Sequence, residues 1–175
     1  MEFTWSDLAL IGLVTVCAAT DAARRKIYNV VVFPSLLLAV VGHLATGGWQ
    51  AASTSLLGMG AGLAVLIVPY LLGGMGAGDV KLLALVGALQ GAAFAVSAAI
   101  YMALLGFFLS IVYLLFQRKS RSFFVYVLYT VLSWRIGRKF VVPRPDGALH
   151  ATMPYGLAIA GGALLALFWR GVVPA

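Results

Sequence analysis

The sequence is poor in charge, in acidic residues and in cysteine. Only 10% of the 175 residues are charged, five are acidic, and Cys17 is the single cysteine. One cysteine excludes an intrachain disulfide and any cysteine-rich metal site. So little charge excludes a soluble domain, because 63% of the residues are hydrophobic and the mean hydropathy is +1.04. The composition predicts an all-α polytopic membrane protein with a single domain over residues 1–175.

Six apolar runs are candidates for transmembrane helices, each of which needs roughly 20 residues at about 1.5 Å per residue. The runs are 5–23, 30–45, 51–72, 80–89, 92–116 and 151–169. Before the last run, the apolar core at 123–132 is too short to cross a bilayer and has basic residues on both sides. Residues 123–142 are therefore expected to form an interfacial or re-entrant cytoplasmic helix.

The distribution of charge predicts the orientation. If the N-terminus lies outside, eleven of the twelve basic residues are cytoplasmic and only Arg170 lies outside, together with Glu2 and Asp7. This satisfies the positive-inside rule, so the net charge of +7 indicates cytoplasmic loops rather than nucleic-acid binding. We expect a multi-pass inner-membrane protein in contact with lipid, with Asp21 and Asp79 at the cytoplasmic side.

These two aspartates lie at the ends of predicted spans. Asp21 closes the first span, and Asp79 opens the fourth after the short turn Gly76-Ala77-Gly78. Two carboxylates close together at low dielectric share one proton. Such a pair can take a proton from water and donate one to a scissile carbonyl. This is the chemistry of aspartic proteases, and it requires neither a metal nor another cofactor.

The same aspartates also have purely structural explanations. Asp21 lies three and four residues before Arg24 and Arg25, so on a helix it could be their ion-pair partner. Asp79 could cap the helix that it starts. Asp146 lies in a Pro-Asp-Gly turn and is expected to be solvated. Composition and spacing leave these alternatives open.

Three motifs in order resemble those of the type IV prepilin peptidases, a family of aspartic proteases of the Gly-x-Gly-Asp type. The segment DAARRKIYN at 21–29 resembles the family's first motif, in which Ile-Pro-Asn follows six residues after Asp. GAGD at 76–79, with Lys81 after it, is similar to the Gly-x-Gly-Asp motif. The segment MPYG at 153–156 resembles the C-terminal Pro-Tyr/Phe-Gly element.

The resemblance implies an aspartic endopeptidase that removes short basic leader peptides from type IV pilin-like precursors at the cytoplasmic membrane face. Asp21 and Asp79 would be the catalytic pair. Asn29 would hydrogen-bond near Asp21, and Lys81 would either stabilise the ionised pair or extend to lipid headgroups. The residues expected to shape the site or bind substrate are Gly76, Gly78, Lys81, Asn29, Pro154, Tyr155 and Gly156.

Two features depart from the family pattern. Tyr28 stands where the family usually has proline, which puts the local turn geometry in question. Many members also carry a cytoplasmic insertion with paired Cys-x-x-Cys motifs and methylate the new N-terminus. Here only about six residues separate the first two spans, and none is cysteine. The compact form is similar to the peptidases of tight-adherence (Flp-type) pilus systems and to archaeal preflagellin peptidases, and it implies cleavage without methylation.

Other readings account for fewer of these features. In presenilin-like proteases the first aspartate follows tyrosine and the chain ends in a Pro-Ala-Leu element, whereas here Thr20 precedes Asp21. A small proton-coupled transporter could use Asp79 as a relay, but both acids lie at one face and no inverted repeat is visible. We interpret His43, near the outer end of the second span, as an interfacial residue rather than a metal ligand, and His150 as a solvated loop residue.

Overall fold

The computed structural model describes residues 4–24, 26–72, 74–116 and 155–172, and every element in these ranges is a helix. The predicted all-α class is therefore confirmed. In chain order the helices are α1 (Trp5–Arg24), α2 (Asn29–Leu71), α3 (Ala77–Gln90), α4 (Ala92–Phe116) and α5 (Tyr155–Val172). The chain divides into two compact units, Met1–Gly106 with Pro154–Ala175, and Phe107–Met153. The candidate site lies in the first unit, and the segment 123–142 lies outside the described residues.

Helix α2 consists of two helical arms joined at Gly48. Gly48 has φ 66° and ψ −159°, a conformation that is open to glycine and costly for other residues. In the first arm, the Lys81 ammonium donates to Asn29 Oδ1 over 3.0 Å, and His43 Nε2 lies 3.1 Å from the carbonyl oxygen of Leu89. From Asn29 to His43 along the first arm, the partner in α3 changes from Lys81 to Leu89. The first arm therefore runs in the same direction as α3.

The second arm of α2 runs in the opposite direction along α3. Ser55 Oγ donates to the carbonyl oxygen of Ala88 over 2.7 Å, near the end of α3. Further along the arm, Gly62 lies against Leu83, nearer the start of α3, where an added Cβ would be 2.7 Å from the Leu83 carbonyl carbon. Glycine lets the two backbones approach this closely. The chain therefore reverses direction at Gly48, between the apolar runs 30–45 and 51–72.

Gly58→Ala should lower the stability of the protein, because Gly58 is the closest point of this packing. An added Cβ would collide with the carbonyl oxygen of Gly87 and lie 2.7 Å from its carbonyl carbon. Main-chain atoms cannot rotate away, so the helices must separate, which typically lowers the free energy of unfolding by about 1–3 kcal/mol. Gly60→Ala is the matched control, because nothing lies within 4 Å of a Cβ added there. Thermal unfolding in detergent micelles should give a lower midpoint for the first variant only; equal midpoints would contradict the close contact.

Helix α3 is the centre of the first unit. Leu82, Leu83 and Leu85 have 0% exposure, and almost every residue of the helix after Gly78 is buried. Helices α1, α2 and α5 pack around α3. This explains why α3 is apolar on all sides. By contrast, many apolar side chains of the outer helices point away from the core, as Val30 does at 83% exposure. That is the distribution expected of helices surrounded by lipid.

Within the part of the chain that the structure describes, three helices are long and apolar enough to span a membrane: Trp5–Arg24, Asn29–Leu71 and Ala92–Leu109, with mean hydropathies of 1.5, 2.0 and 2.1. The apolar helix Tyr155–Arg170 is shorter. Helix α3 has 14 residues, and at about 1.5 Å per residue it is roughly 21 Å long, less than the roughly 30 Å of hydrocarbon. The membrane character is shown, and the number of six spans stays a prediction.

A polar cluster joins three helices at the end of α1 that is remote from Asp21. The Gln90 side chain, at the end of α3, donates through Nε2 to Asp7 Oδ1 over 2.7 Å. Arg170, near the end of α5, donates to Gln90 Oε1 over 2.7 Å. At the other end of α1, the start of α5 meets Asp21 through the main-chain N–H of Gly156. Helix α1 is therefore antiparallel to both α3 and α5, which brings the first residues of those two helices to the Asp21 end.

Candidate functional site

Asp21 lies in the last turn of α1, on the face that also carries Leu10, Val14 and Cys17. The spacing of three and four residues places all of them toward the core, and Asp21 is only 7% exposed. Its Oδ2 accepts a hydrogen bond of 2.8 Å from the main-chain N–H of Gly156. Moving a carboxylate out of water is unfavourable, and the hydrogen bond from Gly156 compensates for part of that cost.

In the described residues, Asp21 does not form an ion pair with Arg24. Arg24 points elsewhere and donates through Nη1 to the Tyr28 hydroxyl over 3.1 Å. Arg25 lies outside the described residues. The hydrogen bond of Asp21 to Gly156 joins residues that are 135 positions apart in the chain. Sequence spacing could not reveal this partner.

Asp79 lies in the first turn of α3 and is 8% exposed. Its Oδ2 accepts a hydrogen bond of 3.0 Å from the main-chain N–H of Gly76, and its own N–H donates to the Gly76 carbonyl oxygen over 3.1 Å. The expected capping role is therefore present. It does not exclude a chemical role, because the bond occupies only one of the two carboxylate oxygens.

The two aspartates line one open cavity of about 380 Å³. Asp79 precedes the apolar run of α3, and burial raises its pKa from 3.8 to about 6. The hydrogen bond from Gly76 opposes this rise, and the negative charge of Asp21 adds to it. The other residues that line the cavity are Gly76, Gly78, Lys26, Ile27, Tyr28 and Asn29. The arrangement can hold one proton between two carboxylates next to a space that admits water or a peptide.

Lys81 does not contact either aspartate. Its ammonium donates to Asn29 Oδ1 and lies 4.9 Å from the centre of the Phe33 ring. The two roles expected for Lys81, stabilising the pair or reaching lipid headgroups, stay predictions. In the structure Lys81 holds Asn29 at the edge of the cavity, and a cation over an aromatic face is a favourable arrangement.

The connection between α1 and α2 contributes residues that sequence reasoning missed. Lys26, Ile27 and Tyr28 all line the cavity, and Ile27 packs against Gly78, where an added Cβ would lie 3.0 Å from the Ile27 Cβ. Their position between Asp21 and Asn29 was the available signal.

Tyr28 adopts the backbone conformation that a proline could also adopt. It precedes α2 with φ −80° and ψ 124°, and proline is restricted to φ of about −65 ± 15°. The exchange of proline for tyrosine therefore leaves the turn compatible with the family pattern. It adds a hydroxyl that accepts the hydrogen bond from Arg24.

The remaining residues considered from the sequence lie away from the cavity or outside the described ranges. His43 packs against Trp5, with ring centroids 5.0 Å apart, at the end of the bundle remote from Asp21. Tyr155 starts α5 directly before Gly156. Within the described ranges, no group of three or more His, Cys, Asp or Glu is placed to hold a metal ion. Three of the residues considered from the sequence lie outside those ranges: Pro154, Asp146 and His150.

A bundle of apolar helices that keeps two aspartates buried at one end, beside an open cavity, is a membrane protein with a candidate carboxylate-pair site. The model of the type IV leader peptidase family matches residues 8–115, well over half of the chain, and the protein belongs to this family. Both aspartates lie within the match, and Gly156 lies beyond it. Neither the search of curated proteins nor the search of solved structures found a match. Membership makes the protein a peptidase and favours that activity over the transporter alternative.

Proposed function

We propose that this protein is an aspartic endopeptidase that removes the short basic leader from type IV pilin-like precursors at the cytoplasmic membrane face, without methylating the product. The observation that carries the proposal is the meeting of Asp21 and Asp79, from two different helices, at one cavity. Each is buried, and each accepts a main-chain hydrogen bond on Oδ2. Membership of the leader peptidase family supports the substrate class.

The chemistry follows from a pair that shares one proton. The ionised carboxylate takes a proton from water while the water oxygen bonds to the scissile carbonyl carbon, and the protonated carboxyl gives its proton to the carbonyl oxygen. The tetrahedral intermediate then breaks its C–N bond. The leaving amine receives the proton held by the first carboxylate, and the second carboxylate takes back the proton of one hydroxyl as the new C=O forms, which restores the shared proton. The Oδ2 oxygens are held by main-chain amides, which leaves Oδ1 of each carboxylate for water and substrate.

The charge around the site supports the cytoplasmic orientation. Arg24, Lys26 and Lys81 all lie at the end of the helices where the two aspartates lie. The other end carries Arg170 with Asp7. An excess of basic residues marks the cytoplasmic side of inner-membrane proteins. A cytoplasmic site would meet the leader before the precursor leaves the membrane.

Cleavage by the purified protein tests the proposal directly. The protein is reconstituted in proteoliposomes with a pilin-like precursor that has a basic leader, and the product is examined by N-terminal sequencing. We expect one new N-terminus at the junction between the leader and the apolar helix. If no precursor of this class is shortened while the protein is folded in the bilayer, the proposed function is wrong.

The mature pilin made by this protein should carry an unmodified α-amino group. Residues 25–28 alone connect α1 to α2, so there is no inserted segment at that place to bind a methyl donor. The measurement is intact-mass analysis of the product after incubation with S-adenosylmethionine. An added methyl group in a system that contains only this enzyme would contradict the expectation, and a reaction without the donor serves as the control.

A further inference from the structure

The start of α5 donates one hydrogen bond to the candidate site. Gly156 is the second residue of α5, and its main-chain N–H donates to Asp21 Oδ2 over 2.8 Å in a buried environment. The first N–H groups of a helix have no partner within the helix and must find one elsewhere. Among the described residues, this is the one hydrogen bond that the Asp21 carboxylate makes.

Only glycine permits this approach. A Cβ added at Gly156 would lie 2.7 Å from Asp21 Oδ2, 2.9 Å from its Cγ and 3.0 Å from its Cβ. The side chain of Asp21 would have to leave its position to avoid these atoms. Asp21 is itself 7% exposed and lies on the buried face of α1 that also carries Val14 and Cys17. A larger residue at 156 would therefore displace the carboxylate rather than be absorbed.

We propose that Gly156 is a positioning residue whose main-chain N–H orients the Asp21 carboxylate, so that Oδ1 of Asp21 is left for the reaction. This inference rests on the proposed function of Asp21, and it adds α5 to the elements that build the site. A hydrogen bond from a fixed amide favours the ionised form of a carboxylate. It also limits rotation of the carboxylate about its last torsion, which keeps the reacting oxygen in place.

Among the described residues, few other titratable groups lie near the pair. Lys26 and Tyr28, from the connection between α1 and α2, line the same cavity, and Asp79 comes from α3. Tyr155 precedes Gly156 in α5. Two interacting carboxylates titrate as a unit, so loss of an amide that favours ionisation would move the pH–rate profile of the pair to higher pH. A change of packing alone would lower the amount of folded protein without moving the profile.

The sharpest test removes the N–H and adds no atoms. Replacing the residue at 156 by glycolate through suppressor-mediated incorporation converts the amide to an ester. A hydrogen bond to a charged group contributes about 1.5–3 kcal/mol, so we expect kcat to fall by roughly tenfold to a hundredfold with little change in KM. The pH–rate profile should move to higher pH. An ester variant with an unchanged rate and profile would overturn the inference.

Two alanine variants in α5 distinguish an effect on Asp21 from a general effect on packing. Gly156→Ala should lower kcat further and move the profile in the same direction, because the new Cβ displaces Asp21. Gly162→Ala is the matched control, since its Cβ would lie 2.6 Å from the Ala98 carbonyl oxygen, far along α5 from the site. It should reduce stability and leave the pH–rate profile unchanged. A shift of the profile in Gly162→Ala as large as that in Gly156→Ala would mean that packing, not the amide, is responsible.

A readout that does not depend on cleavage separates this inference from the proposed function. Infrared spectroscopy of protein labelled with ¹³C-aspartate follows the carboxylate bands, and the band lost in Asp21→Asn identifies Asp21. In the ester variant the frequency of the Asp21 band should change, because its Oδ2 loses the hydrogen bond from Gly156. An unmoved band would overturn the positioning role even in an active enzyme, and a shifted band would support it even if no pilin-like precursor were cleaved.

Discussion

Asp21→Asn and Asp79→Asn should each slow the cleavage of a pilin-like precursor by roughly 10²–10⁴-fold, the range that follows loss of a general acid or base. Asparagine has nearly the same shape, and its Oδ1 can accept the hydrogen bond from Gly156 or from Gly76. It cannot take up or release the proton that the mechanism requires. Single-turnover cleavage in proteoliposomes, with equal amounts of membrane-inserted enzyme, measures the effect.

Asp7→Asn is the matched control for this experiment. Asp7 is also a buried aspartate of α1, at 8% exposure, but it bonds to Thr4 and Gln90 at the opposite end of the helix. Its substitution should leave cleavage per folded molecule nearly unchanged. Asp146→Asn, in the predicted solvated turn, should also retain most activity. If Asp21→Asn cleaves at the normal rate, the carboxylate pair is wrong, and Asp21 is only a structural residue.

Asp79→Asn should be more stable than the unmodified protein at neutral pH, although it is inactive. The pKa of Asp79 rises from 3.8 to about 6 because burial disfavours the charged form. At about 1.4 kcal/mol for each pH unit, this corresponds to roughly 3 kcal/mol of stability lost when Asp79 ionises in the folded protein. Asparagine is neutral and can keep the hydrogen bond to Gly76, so it avoids that loss.

The pH dependence of this gain follows from the direction of the pKa change. Between about pH 4 and pH 6 the folded protein binds more protons than the unfolded chain, so its stability falls as the pH rises through that window. The advantage of Asp79→Asn should therefore be full above about pH 6 and disappear near pH 4. Thermal unfolding in detergent micelles at several pH values measures it.

Asp7→Asn gives the opposite expectation and serves as the control. The Asp7 carboxylate accepts hydrogen bonds from the N–H and hydroxyl of Thr4 and from Gln90. Asparagine cannot accept all of them, so its midpoint should fall at neutral pH. A midpoint of Asp79→Asn that lies below that of the unmodified protein at every pH would contradict the unfavourable burial of the Asp79 charge.

The sequence alone determined the class of the protein and the residues to examine. Composition decides whether a chain can be soluble, so the apolar runs were sufficient to predict membrane helices. The reversal near Gly48 was visible because two adjacent glycines interrupt an apolar run. The positions of Asp21 and Asp79 at the ends of apolar runs were also local information. Membership of the family confirms the resemblance that the three short motifs suggested.

Only the tertiary structure decided which groups these residues contact. Asp21 has Arg24 within one helical turn, yet the partner that the described residues show is a main-chain amide at the start of α5. Lys81 donates a hydrogen bond to Asn29, which lies 52 residues earlier in the chain, and residue spacing does not reveal such a partner. Such partners depend on how each helix is rotated and where it crosses its neighbours. Those quantities are set by close packing, such as the contact of Gly58 with Gly87, and not by the spacing of residues along one helix.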